Sequence, residues 1–163
     1  TMCSVRERTR PVAARDYWDG GPLRRLLAKR VFNCLLIERK KVTKTNNPIE
    51  QMDVAIAEGD SLIIFPEGGR TTDEEGRELM PFKSGLFHLA KHHPGVQFVP
   101  VYLENLNRIL PKGQLLLVPL IATARFGSPI ALGESEEKEA FLARARQAIL
   151  DLQRGEESGA GHA

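Results

Sequence analysis

The stretch Ser61-Leu62-Ile63-Ile64-Phe65-Pro66-Glu67-Gly68-Gly69-Arg70-Thr71 constrains the fold more than any other part of this chain. Four of its first five residues are apolar and two of them are β-branched, the composition of a short buried strand covered on both faces. Pro66 has no N–H to donate and is expected to end the ladder. Gly68 and Gly69 carry no Cβ, so they permit a tight turn and a close approach by a ligand. Glu67 and Arg70 are then expected at the carboxyl end of a strand, where open α/β sheets bind ligands. Two opposite charges beside two glycines point there to a site for a phosphorylated substrate.

The rest of the pattern alternates strands with helices. Arg10 to Ala14 reads as a short strand, and Pro22 to Phe32 as a helix whose apolar stripe is Leu23, Leu26, Leu27 and Val31. Cys34 to Ile37 reads as a buried strand running into Glu38-Arg39-Lys40-Lys41. Asn47 is expected to cap a helix from Pro48 to about Glu58 that Gly59 ends. Phe82 to Lys91 reads as a short helix. Val96 to Leu103 is an apolar strand in which Pro100 predicts an edge position or a distortion. Thr123 to Phe126 is a further strand, and Glu136 to Gln153 an amphipathic helix with Phe141, Leu142, Ala145, Ile149 and Leu152 inward. The expected fold is a single α/β domain over residues 1–154, with a mostly parallel or mixed central sheet flanked by helices. Residues 155–163 read as a small, polar, disordered tail.

At 163 residues the chain is long enough to bury a core. No apolar run approaches the ~20 residues that span a bilayer, and the basic first twenty residues lack the apolar segment of a signal peptide. Cys3 and Cys34 have no metal-ligand spacing and read as free thiols. Charge is unevenly distributed. Residues 1–50 carry twelve Lys/Arg against five Asp/Glu, and residues 51–163 carry eleven against sixteen. A basic half of this kind attracts anionic lipid headgroups or nucleic acid. Few aromatic residues interleave with the cations, which sets nucleic-acid stacking below the membrane reading. Tyr17 and Trp18 could sit at a membrane interface or in the core, and the core is the favoured expectation. No Gly-x-x-x-x-Gly-Lys or Gly-x-Gly-x-x-Gly pattern is present, and Ser84 lacks the flanking glycines of a nucleophile elbow.

Several of these segments together resemble the glycerol-phosphate acyltransferase family, which acylates lysophosphatidic acid and related lysophospholipids. Phe65-Pro66-Glu67-Gly68-Gly69-Arg70 resembles its Phe-Pro-Glu-Gly-Thr-Arg block, with Gly69 where Thr is commonest. Leu36-Ile37-Glu38-Arg39 is similar to its strand ending in Ile-Asp-Arg. Pro81-Phe82-Lys83-Ser84-Gly85-Leu86-Phe87 and Val99-Pro100-Val101 resemble its later blocks. Arg10 to Trp18, Leu110-Pro111-Lys112-Gly113 and Phe126-Gly127-Ser128-Pro129-Ile130 also look like the bacterial branch. The family's His-x-x-x-x-Asp motif, whose His is the general base, has no counterpart. Five residues after His88, His92 and His93 stand His93, Gln97 and Phe98, and His162 has nothing that far beyond it. The family order places the motif upstream of Arg10, so the chain is expected to be truncated before it, and the fragment itself to be inactive.

The resemblance implies transfer of an acyl group from acyl-CoA or acyl carrier protein to the hydroxyl of a lysophospholipid acceptor, with no bound cofactor and no metal. The expected acceptor site is Arg39 together with Phe65, Pro66, Glu67, Gly68, Gly69, Arg70 and Thr71. Arg39 and Arg70 are expected to grip the phosphate through charge-assisted hydrogen bonds. Glu67 is expected to brace the loop or contact the acceptor. Arg15 and Lys83 are candidate additional phosphate contacts, set against a plain solvated position, which for Lys83 at a helix N-terminus is the favoured reading. His88 and His92, four residues apart, read as helix surface or packing groups. The expected setting is peripheral, at the cytoplasmic face of the inner membrane, with the basic half toward lipid and no nucleic-acid partner. A catalytically silent lipid-phosphate-binding module is the alternative from another class, and a nucleic-acid-binding domain a weaker third.

Overall fold

A computed structural model describes residues 8–38, 47–69, 79–104 and 123–155. Its contacts gather into two units, residues 1–66 and 67–163. The first is built on β1 (Thr9–Ala14), which lies between β2 (Leu35–Ile37) and β3 (Ser61–Ile63), both parallel to it. The short helix α1 (Arg15–Trp18) follows β1. Helix α2 (Pro22–Leu26) then continues into a π-helical turn over Leu27–Val31 before β2. Helix α3 (Pro48–Ala57) connects β2 to β3. Parallel strands need such crossovers because a hairpin cannot return the chain to the same end. The strand order β2-β1-β3 reverses direction at β1, so β1 and β3 border a topological switch point.

Pro11 governs how the three strands share β1. The β1–β3 ladder runs Thr9↔Ser61, Arg10↔Leu62 and Pro11↔Ile63, whereas the β1–β2 ladder runs Val12↔Leu35 to Ala14↔Ile37. Pro11 has no N–H to carry the β3 ladder further, so pairing shifts to the other edge from Val12. The consequence corrects the expectation for residues 61–65. The ladder ends at Ile63, two residues before Phe65, and Pro66 does not terminate it. Among the described residues β3 pairs with β1, and Ile63 and Phe65 are exposed while Leu62 and Ile64 are half-buried. The strand is therefore covered on one face, not two.

The core of this unit is small: Ala28, Cys34, Met52 and Ala55 are buried. Burial pushes the Cys34 thiol above its ordinary pKa, with the Arg10 cation acting in the opposite sense. Asn47 caps α3 as expected, its Oδ1 accepting from the Ile49 N–H at 3.0 Å, with Pro48 in the first turn. Asn47→Ala is expected to lower stability by about 1 kcal/mol, measured by urea denaturation. The aromatic expectation fails: Tyr17 is exposed and Trp18 half-buried. α1 is only four residues long and buries none of them, so its rings pack sideways instead. Tyr17 meets Trp18 edge-on at 5.6 Å and Trp18 meets Phe32 at 5.9 Å.

The second unit holds α4 (Gly85–His92), the antiparallel pair β4 (Val101–Glu104) and β5 (Thr123–Phe126), and α5 (Lys138–Arg154). Helix α4 starts at Gly85, three residues later than the sequence pattern predicts. Phe141 is fully buried and is the hub of this unit, with Phe98 edge-on at 6.0 Å and Phe87 at 6.3 Å. Leu89, Ala90 and Ala145 are buried in the same unit. Pro100 distorts the strand as expected. Phe98 exchanges both backbone bonds with Ile130, the continuous ladder resumes only at Val101, and the Pro100 carbonyl accepts from Gly127 N–H at 2.9 Å. Gly127 has to be glycine for this approach, because a Cβ there would lie 2.9 Å from Pro100 Cγ.

Arginines fasten α5 at both ends. Arg125 on β5 donates to the Leu152 carbonyl at 3.1 Å and to Glu104 at 3.2 Å, a cation at a helix C-terminus where the backbone dipole favours it. Gly155 ends the helix in the left-handed region at φ 78°. Ahead of the helix, Glu136 accepts from Gly133 N–H at 3.0 Å and from Arg144 Nη2 at 2.6 Å. Hydrogen bonds from Arg144, then from the Gly133 backbone, hold the Glu136 carboxyl below the usual glutamate range. A depressed folded-state pKa contributes stability above the ordinary glutamate range and loses it as pH falls through the lower value. Glu136→Gln is therefore expected to flatten the acid limb of the stability–pH curve, measured by thermal melts below pH 5. The residues 105–122, including Leu110 to Gly113, and the tail 156–163 lie outside the described residues.

Candidate functional site

The unit boundary falls inside the block that the sequence singles out, between Pro66 and Glu67. On its near side, Phe65 and Pro66 leave the carboxyl end of β3, and Arg15 opens α1 immediately after the carboxyl end of β1. Both chain exits therefore border the β1/β3 switch point. Arg15 is half-buried and its Nη2 donates to the Leu36 carbonyl of β2 at 3.4 Å. A guanidinium carries five N–H donors, so this one long bond leaves most of its capacity for other acceptors.

On the far side, the loop is pinned by its acid. Glu67 Oε2 accepts from the Met80 N–H at 2.9 Å, joining residues that stand thirteen apart in sequence. Met80 is in turn held through its neighbour: Arg146 on α5 donates from Nε to the Leu79 carbonyl at 3.0 Å and from Nη2 to the same oxygen. A continuous series of bonds thus runs from α5 through Leu79 and Met80 to Glu67. Gly68 adopts φ 70°, the left-handed region that glycine enters at no steric penalty. The stem of Lys83 crosses this glycine, since a Cβ there would come within 3.2 Å of Lys83 Cγ. Lys83 itself is exposed, as are Gly68 and Gly69.

The structure therefore brings together Glu67, Gly68 and Lys83, and places Arg15, Phe65 and Pro66 at strand ends in the other unit. Arg39, Arg70 and Thr71 lie outside the described residues. Met80 and Arg146 are the positioning residues that sequence reasoning missed. Met80 acts through its backbone, which no side-chain pattern reveals. Arg146 had one faint signal, its place beside Ala145 on the inward stripe of α5, where a cation needs an acceptor. His88 and His92 are exposed on α4, and among the described residues no three His, Cys, Asp or Glu side chains gather as a metal site. A separate open cleft of about 370 Å³ in the first unit is lined by Arg10, Glu50, Gln51, Val54 and Glu58. Its mixed charge, with Arg10 already paired to Asp60 at 3.1 Å, does not make an anion site.

The chain that carries this glycine turn has relatives among known proteins. The chain is 38% identical over 81 residues to the 1-acyl-sn-glycerol-3-phosphate acyltransferase of Haemophilus influenzae, a match covering 45% of this chain and 32% of that protein. It is 36% identical over 102 residues to the Escherichia coli protein of the same name, covering 57% of this chain and 40% of the relative. The matches thus span less than half the length of these curated relatives. The crystal structure of the 1-acyl-sn-glycerophosphate (LPA) acyltransferase PlsC from Thermotoga maritima superposes with a TM-score of 0.68 at 17% identity. It covers 94% of this chain and 59% of that one, so the two share the α/β fold with its helix-flanked parallel sheet. A family model described as Acyltransferase matches residues 1–104, well over half of the sequence, and the chain belongs to the acyltransferase family.

Proposed function

We propose that this protein transfers a fatty acyl group from acyl-CoA or acyl carrier protein to the free hydroxyl of a lysophosphatidic acid-type acceptor. The setting we propose is phospholipid synthesis at the cytoplasmic face of a bacterial inner membrane, with the protein peripheral to the bilayer. The observation that carries the reading is the anchored glycine loop, in which Glu67 is tied to Met80 and Lys83 crosses Gly68 just before Arg70 in sequence. The names of the curated relatives support the same acceptor class.

In this reaction the acceptor hydroxyl oxygen attacks the thioester carbonyl carbon and the C–S bond breaks. A general base removes the hydroxyl proton, which ends on the departing thiolate, and an ester and a free thiol result. A hydroxyl is a poor nucleophile at neutral pH, so a base with a pKa near 7 is required. No histidine in this sequence has the spacing for that role. We place the base in a His-x-x-x-x-Asp segment outside residues 1–163, and take the 163-residue chain alone to be inactive. These residues supply binding and positioning instead. Arg70 and Arg39, with Lys83 and Arg15, are assigned to the acceptor phosphate through charge-assisted bonds. Glu67 is assigned to brace the loop, because a carboxylate left facing a phosphate would repel it.

The test is acyl transfer from long-chain acyl-CoA and from acyl carrier protein to lysophosphatidic acid. It compares the 163-residue chain with the protein expressed from its full encoding reading frame. The expected result is activity in the longer protein and none in the chain, with Arg70→Ala lowering kcat/KM about a hundredfold or more. A longer protein inactive with both donors and with other lysophospholipids, while the chain still binds anionic lipid, would establish the silent binding module instead.

A further inference from the structure

Helix α2 and the π-helical turn after it present Leu23, Leu26 and Val31 outward. Leu23 is 67% exposed and Leu26 52%, while Ala28 is the residue the segment buries. At 3.6 residues per turn, Leu23 and Leu26 lie roughly 140° and 160° around the helix from Ala28, on the side facing away from the protein. The sequence pattern alone would bury this stripe.

The same segment is strongly cationic. Pro22 to Val31 contains Arg24, Arg25, Lys29 and Arg30 and no acidic residue, and all four cations are exposed. Among the described residues, Asp19, just ahead of the helix, lies 3.5 Å from Arg25 Nε. Exposed Tyr17 borders the patch and lies under the Arg24 guanidinium, 5.5 Å from ring centroid to Cζ. Exposed Phe32 continues it, in contact with Trp18.

We propose that residues 17–32 form a membrane-docking surface that lies in the plane of an anionic bilayer. Leu23 and Leu26 would enter the headgroup–acyl boundary while the cations engage lipid phosphates. This rests on the proposed function only in taking a membrane as the partner, and adds which surface makes the contact. Ten helical residues extend about 15 Å, far short of the ~30 Å hydrocarbon core, so the segment lies on the bilayer and does not cross it. Lys and Arg flanking leucines suit that placement because their long stems stay apolar while their charges reach the headgroups. Tyr and Trp favour the same interfacial depth. Charge selects among occupants. A second copy would bring a like set of cations face to face, whereas anionic lipid neutralises them.

The experiment is sedimentation of the 163-residue chain with phosphatidylcholine vesicles, with and without phosphatidylglycerol, at low and high salt. The single tryptophan, Trp18, reports insertion by fluorescence and by quenching from bromine-labelled lipids. Expected are binding to the phosphatidylglycerol vesicles, weakened by salt, and quenching of Trp18. The double variant Leu23→Ser/Leu26→Ser is expected to bind about tenfold more weakly, and Lys29→Gln/Arg30→Gln roughly twentyfold. Thermal melts check that each variant is folded. If the serine variant fails to fold, the glutamine variant and wild-type quenching decide the question. A wild-type chain that stays in the supernatant, or variants that bind like it, would overturn the proposal. So would light scattering that shows a dimer dissociated by the serine substitutions, which would assign the surface to a second copy. Vesicle binding is read without acyl transfer. A chain that docks while the longer protein transfers nothing supports this inference and overturns only the enzyme reading. A chain that ignores vesicles while the longer protein acylates its acceptor does the reverse.

Discussion

Phe141→Ala is expected to destabilise the unit over residues 67–163 by about 3–5 kcal/mol, the largest stability effect of any single truncation in the described core. Phe141 is fully buried and is the ring on which Phe87 and Phe98 converge. Removing it forfeits the transfer of an entire aromatic side chain and leaves a cavity that two rings cannot both collapse into. Arg144 also sits over this ring, its Cζ 5.6 Å from the centroid, so the pair that holds Glu136 loses part of its support. Urea denaturation followed by circular dichroism is the measurement. Phe141→Leu, which keeps most of the volume, should recover more than half of the loss. A Phe141→Ala effect below ~1 kcal/mol would mean that α4 and α5 do not depend on this contact.

Glu67→Ala is expected to lower kcat/KM for acyl transfer about a hundredfold in the protein from the full reading frame, with little change in melting temperature. The bond from Met80 N–H to Glu67 Oε2 ties the loop to residues that Arg146 fastens to α5. Without the acceptor, the Met80 donor is orphaned and the turn at Gly68, which precedes Arg70 in sequence, loses its tether. Glu67→Gln separates bracing from charge, because an amide oxygen still accepts from Met80 while the negative charge is gone. A bracing role predicts that Gln retains activity to within about tenfold of wild type. Equal damage from Gln and Ala would instead assign the carboxylate charge to the acceptor itself. Arg146→Ala should move activity in the same direction as Glu67→Ala, since it releases the Leu79 carbonyl that positions Met80.

Much of the fold was legible because local chemistry specified it. Asn47 and Pro48 mark the start of α3, and the 3.6-residue stripe of Phe141 and Ala145 locates the buried face of α5. Pro100 announced its break in the strand, as a residue without an N–H does anywhere. The turn at Gly68 was legible in the same sense. Gly68 occupies a left-handed position that its lack of a Cβ makes accessible.

What the residues could not announce is who stands across from them. Residues 61–65 read as a strand buried on both faces, yet the ladder stops at Ile63 because its partner at that register is Pro11, fifty-two positions earlier in the sequence. Leu23 and Leu26 read as a stripe like that of any helix, and the structure turns them outward because Ala28 sits against the unit instead. Glu67 read as a brace for the loop or a contact for the acceptor, and only the structure supplied a partner, the Met80 N–H at 2.9 Å. The sequence by itself determined the type and order of the elements and the caps and breaks at Asn47, Pro48 and Pro100, since caps, glycines, prolines and periodicity act over a few residues. The tertiary structure alone decided register, facing and tethering, because each depends on a partner brought from far along the chain.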